Sequence, residues 1–167
     1  MAAAPESSPA RDFEIRPLTD DRRASWQPLW QSYLRFYRAE LDPAVSDATF
    51  ARLCDPGSGM AGLIATTENG QVVGLAHVVF HPTTWDTSAT CYLEDLFVAR
   101  EARGSDVGKR LIVAVYELAA RRGAGRVYWH TQQFNGAARS LYDVVAGLTS
   151  FVVYEHELKP PSEAMTA

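Results

Sequence analysis

Two adjacent carboxylates, Glu94 and Asp95, interrupt the apolar run Tyr92-Leu-Glu-Asp-Leu-Phe-Val98. Acids are seldom set into a buried strand without a partner or a task. The run leads through Arg103-Gly104-Ser105 into a helical pattern of Val107, Leu111, Val115 and Leu118. A strand that feeds a glycine-containing turn at a helix N-terminus suits an anion. The first helical N–H groups there have no backbone acceptor, and the helix dipole favours negative charge. Arg103 and Lys109 flank the turn with positive charge. The chemistry indicated is a pyrophosphate cradle beside a catalytic carboxylate.

Two nucleotide-binding motifs are excluded. Gly104-Ser-Asp-Val-Gly108-Lys109-Arg110 has one residue too few between its glycines for a Walker A loop, and Arg110 stands where that loop needs a hydroxyl for magnesium. A Rossmann fingerprint needs three glycines in register, and here there are only Gly104 and Gly108. His77 and His81 are too far apart on a strand, about 13 Å, to share a metal, so no metal site is expected. Cys91 lacks any neighbour in sequence that would activate it and reads as a buried thiol.

The elements that position these groups follow from periodicity. Phe13–Arg16 alternates as a strand ended by Pro17. A helix is expected from about Asp21 to Glu40, starting or bending near Trp26 because of Pro28. A short helix capped by Ser46 or Asp47 should run to Leu53. Leu63–Thr67 and Val72–Phe80 form a hairpin through Asn69-Gly70, and the carboxylate-bearing strand spans Thr90–Val98. A helix over Val107–Arg122 is followed by a strand over Val127–Thr131, a helix over Asn135–Val145 and a last strand over Phe151–Glu157. The order is β-α-α-β-β-β-α-β-α-β, a mixed α/β sheet with helices on both faces. With 167 residues, one domain over 12–158 is expected, between flexible tails at 1–11 and 159–167. A net charge of −4 argues against nonspecific nucleic-acid binding. No apolar run reaches the roughly 20 residues of a membrane helix, and two cysteines make no disulfide framework, so a cytoplasmic location is expected.

Three motifs in order resemble the GNAT superfamily of acetyl-CoA-dependent N-acetyltransferases, and within it the diamine (spermidine/spermine) and Hpa-type histone acetyltransferase branch. These are Tyr92-Leu-Glu-Asp-Leu-Phe-Val98, Arg103-Gly-Ser-Asp-Val-Gly108-Lys109 and Asn135-Gly-Ala-Ala-Arg-Ser-Leu-Tyr142. The resemblance covers about Phe13 to Leu158. It implies a central, mostly antiparallel twisted sheet of six to seven strands, acetyl-CoA as donor, no metal, and a homodimer joined through the last strand. One position departs from the pattern: Asp106 stands where the family has a glycine. Its amide can still donate to a pyrophosphate, and its side chain is expected to turn away and cap the helix at Val107.

Acetyl transfer to an amine requires a base for the ammonium, a donor for the oxyanion and a proton for the departing thiolate. The resemblance implies Tyr142 as the acid and Glu94 as the base. It implies the backbone of Leu96, Phe97 and Val98 along the pantetheine, and Arg103, Gly104, Ser105, Asp106, Val107, Gly108 and Lys109 at the pyrophosphate. Asn135 and Ala138 would meet the pantetheine arm, while Tyr37, Trp85 and Asp95 would meet the amine. Adjacent strand residues face opposite sides, so Glu94 and Asp95 share one cleft only if the strand is bulged there. The acceptor expected is a small cationic primary amine, a polyamine or lysine-like molecule. The alternatives are a protein lysine or N-terminus, or a non-catalytic acyl-CoA sensor on the same fold.

Overall fold

The hairpin announced by Asn69-Gly70 forms as expected, because Gly70 adopts φ +82°, open to glycine at no steric cost. In the computed structural model, which describes residues 13–158, it joins β2 (Met60–Thr67) to β3 (Val72–His81). The expected tails at 1–11 and 159–167 lie outside the described residues. Strand β1 (Phe13–Pro17) pairs with β2, and β4 (Ala89–Val98) pairs with β3, all antiparallel. Strand β5 (Ala124–Tyr128) runs parallel to β4 and completes the order β1-β2-β3-β4-β5.

The first helical stretch is a 3-10 turn over Asp20–Arg22 followed by α1 (Arg23–Tyr37), which accommodates Pro28 within it. Helix α2 (Pro43–Cys54) starts earlier than expected. Asp42, not Ser46 or Asp47, is the cap and accepts from the Ala44 N–H at 2.8 Å. Proline at the first helical position loses no bond, so Asp42-Pro43 opens a helix there. Helix α3 spans Val107–Arg121, and α4 spans Gly136–Val145.

The helices cover two faces. A Cβ on Gly74 would lie 2.9 Å from both Leu111 and Val107, so α3 rests directly on one face of β3. On the other face Trp26 of α1 is fully buried, its ring 5.1 Å from Phe50 of α2. The core joins these layers through Ile64, Leu75, Val78, Leu111, Ile112 and Val115.

Two strand expectations are corrected. The described residues form five strands, not six to seven, because Phe151–Glu157 pairs with nothing among them. Its β-branched and aromatic side chains favour a strand only when a neighbouring strand supplies packing and hydrogen bonds. Here Phe151, Val152 and Tyr154 are exposed instead. Strand β5 lies earlier than Val127–Thr131, because its pairing with β4 ends at Tyr92↔Tyr128. Beyond that point the register of β4 against β3 jumps from His77↔Asp95 to Val78↔Leu93, leaving Glu94 as the extra residue of a bulge. A bulge bends and twists its strand, and beyond Tyr92 β4 has no partner on the β5 side.

Candidate active site

The bulge removes the alternation that would put Glu94 and Asp95 on opposite sides. Asp95 pairs across from His77 on the face covered by α1, while Glu94 is solvent-exposed at the bulge. Protein mass around Glu94, and after it the Asp95 carboxylate, raises its carboxyl pKa above the ordinary value, with His130 opposing. A raised carboxyl holds its proton to higher pH and, once ionised, is a stronger base. Asp95 is held from behind: its Oδ2 lies 2.9 Å from His77 Nδ1, and the side chain is 13 % exposed.

Two tyrosines of α1 reach the same place. Burial, and after it Asp95, raises the phenol pKa of both Tyr33 and Tyr37, and their rings meet edge to face at 5.0 Å. Tyr142 enters from α4 and packs edge-on against Trp129 at 5.3 Å. Burial, and after it Tyr37, raises the Tyr142 phenol, which keeps it protonated as a proton donor must be. The structure thus brings Tyr37, Asp95, Glu94 and Tyr142 into one neighbourhood. Trp85 stands apart on the connection between β3 and β4, 93 % exposed.

One edge of β4 is open. Register with β3 continues through Leu96, Phe97 and Val98, but β5 supplies no partner beyond Tyr92. One row of backbone groups on this stretch therefore faces the gap, where an extended amide-bearing chain can pair with it. At the end of the gap, a 3-10 turn over Arg100–Ala102 and the residues Arg103–Asp106 lead into α3. Gly104 has φ +78°, which reverses the chain there, and the first helical bond runs from the Arg110 N–H to the Asp106 carbonyl. The amides of Val107, Gly108 and Lys109 precede that bond and form the N-terminal donor set of the helix. Gly108 is needed for contact: a Cβ there would stand 3.2 Å from Leu141 of α4.

The expected Asp106 cap is corrected, and the neighbouring side chains have partners within the chain or face solvent. Asp106 makes no side-chain cap, because its ψ of 6° is far from the extended value that aims a cap oxygen at the first amides. Arg103 donates to the Val98 carbonyl at 3.1 Å and lies over the Phe36 and Phe97 rings. Ser105 donates from its hydroxyl to the Ala102 carbonyl, and Lys109 is exposed. Asn135 caps α4 by accepting from the Ala138 N–H at 3.4 Å. Arg110 is drawn to the Phe13 carbonyl and away from the turn.

Further aromatic and imidazole side chains, to which sequence alone assigned no part in the site, contact one another on β3, β4 and at the end of β5. Tyr92 and Tyr128 pack at 4.9 Å, and Tyr92 Oη lies 3.2 Å from His130 Nδ1. His81 Nε2 lies 3.1 Å from Tyr128 Oη. His77 and His81 serve different partners, and Cys91 is a fully buried thiol whose pKa burial pushes up to about 11. The aromatic alternation of β4 and β5 could have flagged Tyr92 and Tyr128; His77 carried no local signal.

Comparison with known proteins agrees with this geometry. The model of the acetyltransferase (GNAT) family matches residues 24–147. The D-amino-acid N-acetyltransferase HPA3 of Saccharomyces cerevisiae is 36% identical over 142 residues, covering 84% of this chain and 88% of that protein. Among solved structures, the ribosomal-protein-alanine N-acetyltransferase of Brucella melitensis biovar Abortus 2308 superposes with a TM-score of 0.75 at 19% identity, covering 88% of this chain and 100% of that one. AAC(6')-Iy in complex with a bisubstrate analog gives a TM-score of 0.76 at 19% identity, covering 89% of this chain and 99% of that one.

Proposed function

The chain belongs to the GNAT acetyltransferase family, and from that premise we propose that it moves an acetyl group from acetyl-CoA to a primary amine of a small cationic molecule by direct attack in a ternary complex. The observation that carries the reading is the open edge of β4 at Leu96–Val98, running from the bulged carboxylates to the amide cluster at the start of α3. Acetyl-CoA supplies the thioester, its pantetheine amides match an unpaired strand edge, and its pyrophosphate matches a helix N-terminus.

The residues then divide the work. Amides from Gly104 to Lys109, with the Lys109 charge, hold the pyrophosphate, and the Asp106 side chain contributes nothing to that grip. Leu96, Phe97 and Val98 align the pantetheine arm, with Asn135 and Ala138 at the start of α4 on its other side. Asp95 and Tyr37 hold the acceptor ammonium by charge and cation–π attraction. Glu94 takes the proton directly or through water, since a free lysine-like amine has a pKa of about 10.4 and attacks only when neutral. Tyr142 returns a proton to the departing thiolate, and general acids of this kind contribute about 10²–10⁴-fold.

A polyamine or lysine-like acceptor, as in the diamine and Hpa-type branch, is favoured by the paired acids and aromatic walls. The relatives named above act on D-amino acids and on a ribosomal-protein alanine, so a protein lysine or N-terminus is the competing acceptor class. We place the activity in the cytoplasm, in keeping with two free cysteines and with the absence of any membrane-crossing helix among the described residues. We also propose a homodimer formed through the exposed apolar segment at Phe151–Leu158. Isothermal titration with acetyl-CoA, followed by a thiol-release assay across polyamines, amino acids and basic peptides, tests the reading. Binding with thiol release on cationic small amines is expected; tight binding with no release on any amine would make the chain an acyl-CoA sensor.

A further inference from the structure

Three side chains from three elements form a buried hydrogen-bonded series that ends at the acceptor side of the site. Trp26 of α1 donates its indole N–H to His77 Nε2 at 3.0 Å, and His77 Nδ1 lies 2.9 Å from Asp95 Oδ2. An indole nitrogen is only a donor. Nε2 must therefore present its lone pair, and the one proton of a neutral ring falls on Nδ1, which donates to the carboxylate. The tautomer follows from the hydrogen-bond network itself.

The surroundings leave this arrangement little freedom. Trp26 is 0% exposed and His77 is 1% exposed. The imidazole sits beside two indoles, with centroids 5.9 Å from Trp26 and 5.4 Å from Trp30. The indoles are themselves pinned: the two rings stack at 5.5 Å, Trp30 Nε1 donates to Ser46 of α2, and the Arg23 guanidinium lies over Trp26 while pairing with Asp47. The other tautomer, with the ring proton on Nε2, would point that proton at the Trp26 N–H inside this apolar packing.

We infer that His77 is a positioning residue for the acceptor amine: locked by Trp26 as the Nδ1–H tautomer, it fixes one oxygen of Asp95 and so the orientation in which that carboxylate meets the incoming ammonium. Asp95 lies across from His77 at the end of the regular stretch of the β3–β4 register, next to the bulge at Glu94. Through the series, α1 and α2 bear on the orientation of a carboxylate they do not themselves supply. The inference rests on the proposed role of Asp95.

Two measurements test it separately. Long-range ¹H–¹⁵N correlation on histidine-labelled wild-type protein reads the ring directly; His77 with Nδ1 protonated and Nε2 bare is expected, and a proton on Nε2 overturns the series whatever the kinetics. For function, His77→Leu removes both bonds, whereas His77→Gln keeps an oxygen for Trp26 and an amide for Asp95. Losing a donor to a charged group predicts about a tenfold or greater rise in the amine KM. Turnover and the acetyl-CoA KM should stay within about twofold, and His77→Gln should recover most of the loss. A His77→Leu effect confined to turnover or to acetyl-CoA, or no rescue by His77→Gln, overturns the positioning role. An unchanged amine KM in Asp95→Asn overturns the reading of Asp95 beneath it; a raised KM there with a wild-type KM in His77→Leu overturns only the part given to His77.

Discussion

At the scale of single residues, the site depends on protonation states set by environment. Tyr142 has its phenol raised by burial, so it stays protonated well beyond neutral pH. Replacing it with Phe should keep acetyl-CoA affinity while lowering turnover at least about tenfold, roughly 1.4 kcal/mol of barrier; wild-type turnover would remove Tyr142 from the mechanism. Glu94 has a raised carboxyl, so its base form is gained at higher pH than that of an ordinary glutamate. The acid limb of kcat/KM for the amine should be displaced upward accordingly, and Glu94→Gln should abolish that limb. The same shift has a sign for stability. A carboxyl raised in the folded state binds more protons than the unfolded chain between the two pKa values, so stability falls as pH rises through that window. Thermal melts of wild type against Glu94→Gln across mildly acid pH should show this slope in the wild type alone.

The element that matters most is β4, with its single extra residue. That residue breaks the alternation between Glu94 and Asp95, and it lies next to the stretch Leu96–Val98, which has no partner on the β5 side. The residue identities in that stretch were legible, including both acids. The bulge was not, because one inserted residue leaves the apolar alternation around it readable either way. Helix α3 fixes the other end of the site, and its seat on the sheet requires Gly74. Gly74→Ala would set a Cβ 2.9 Å from Leu111 and Val107 and 3.2 Å from Ala65, where the core has no slack. We expect a stability loss of about 1–3 kcal/mol in urea unfolding. Weaker acetyl-CoA binding by calorimetry should accompany it, since Val107 begins α3, whose first amides are the proposed pyrophosphate donors. Unaltered affinity would show that α3 can shift without disturbing its N-terminal amides.

For the whole molecule, the open question in the fold is the segment after α4. Leu148, Phe151, Val152, Val153, Tyr154 and Leu158 are each at least 64% exposed, a run of apolar surface that a second copy would cover. If it does, Phe151→Asp should shift the mass in light scattering from dimer towards monomer, and an unchanged mass would count against that interface. Sequence alone determined the order of elements as far as α4, the Asn69-Gly70 hairpin, the turn at Gly104 and the family, because turn chemistry and periodicity are local properties of the chain. Only the tertiary structure decided that the described residues form a five-stranded sheet, that Asp42 and not Ser46 or Asp47 caps α2, and that Asp106 makes no side-chain cap. It alone joined Trp26, His77 and Asp95. Those outcomes depend on which strand edge finds a partner, on backbone angles at one residue, and on contacts between side chains distant in sequence, none of which local pattern can specify.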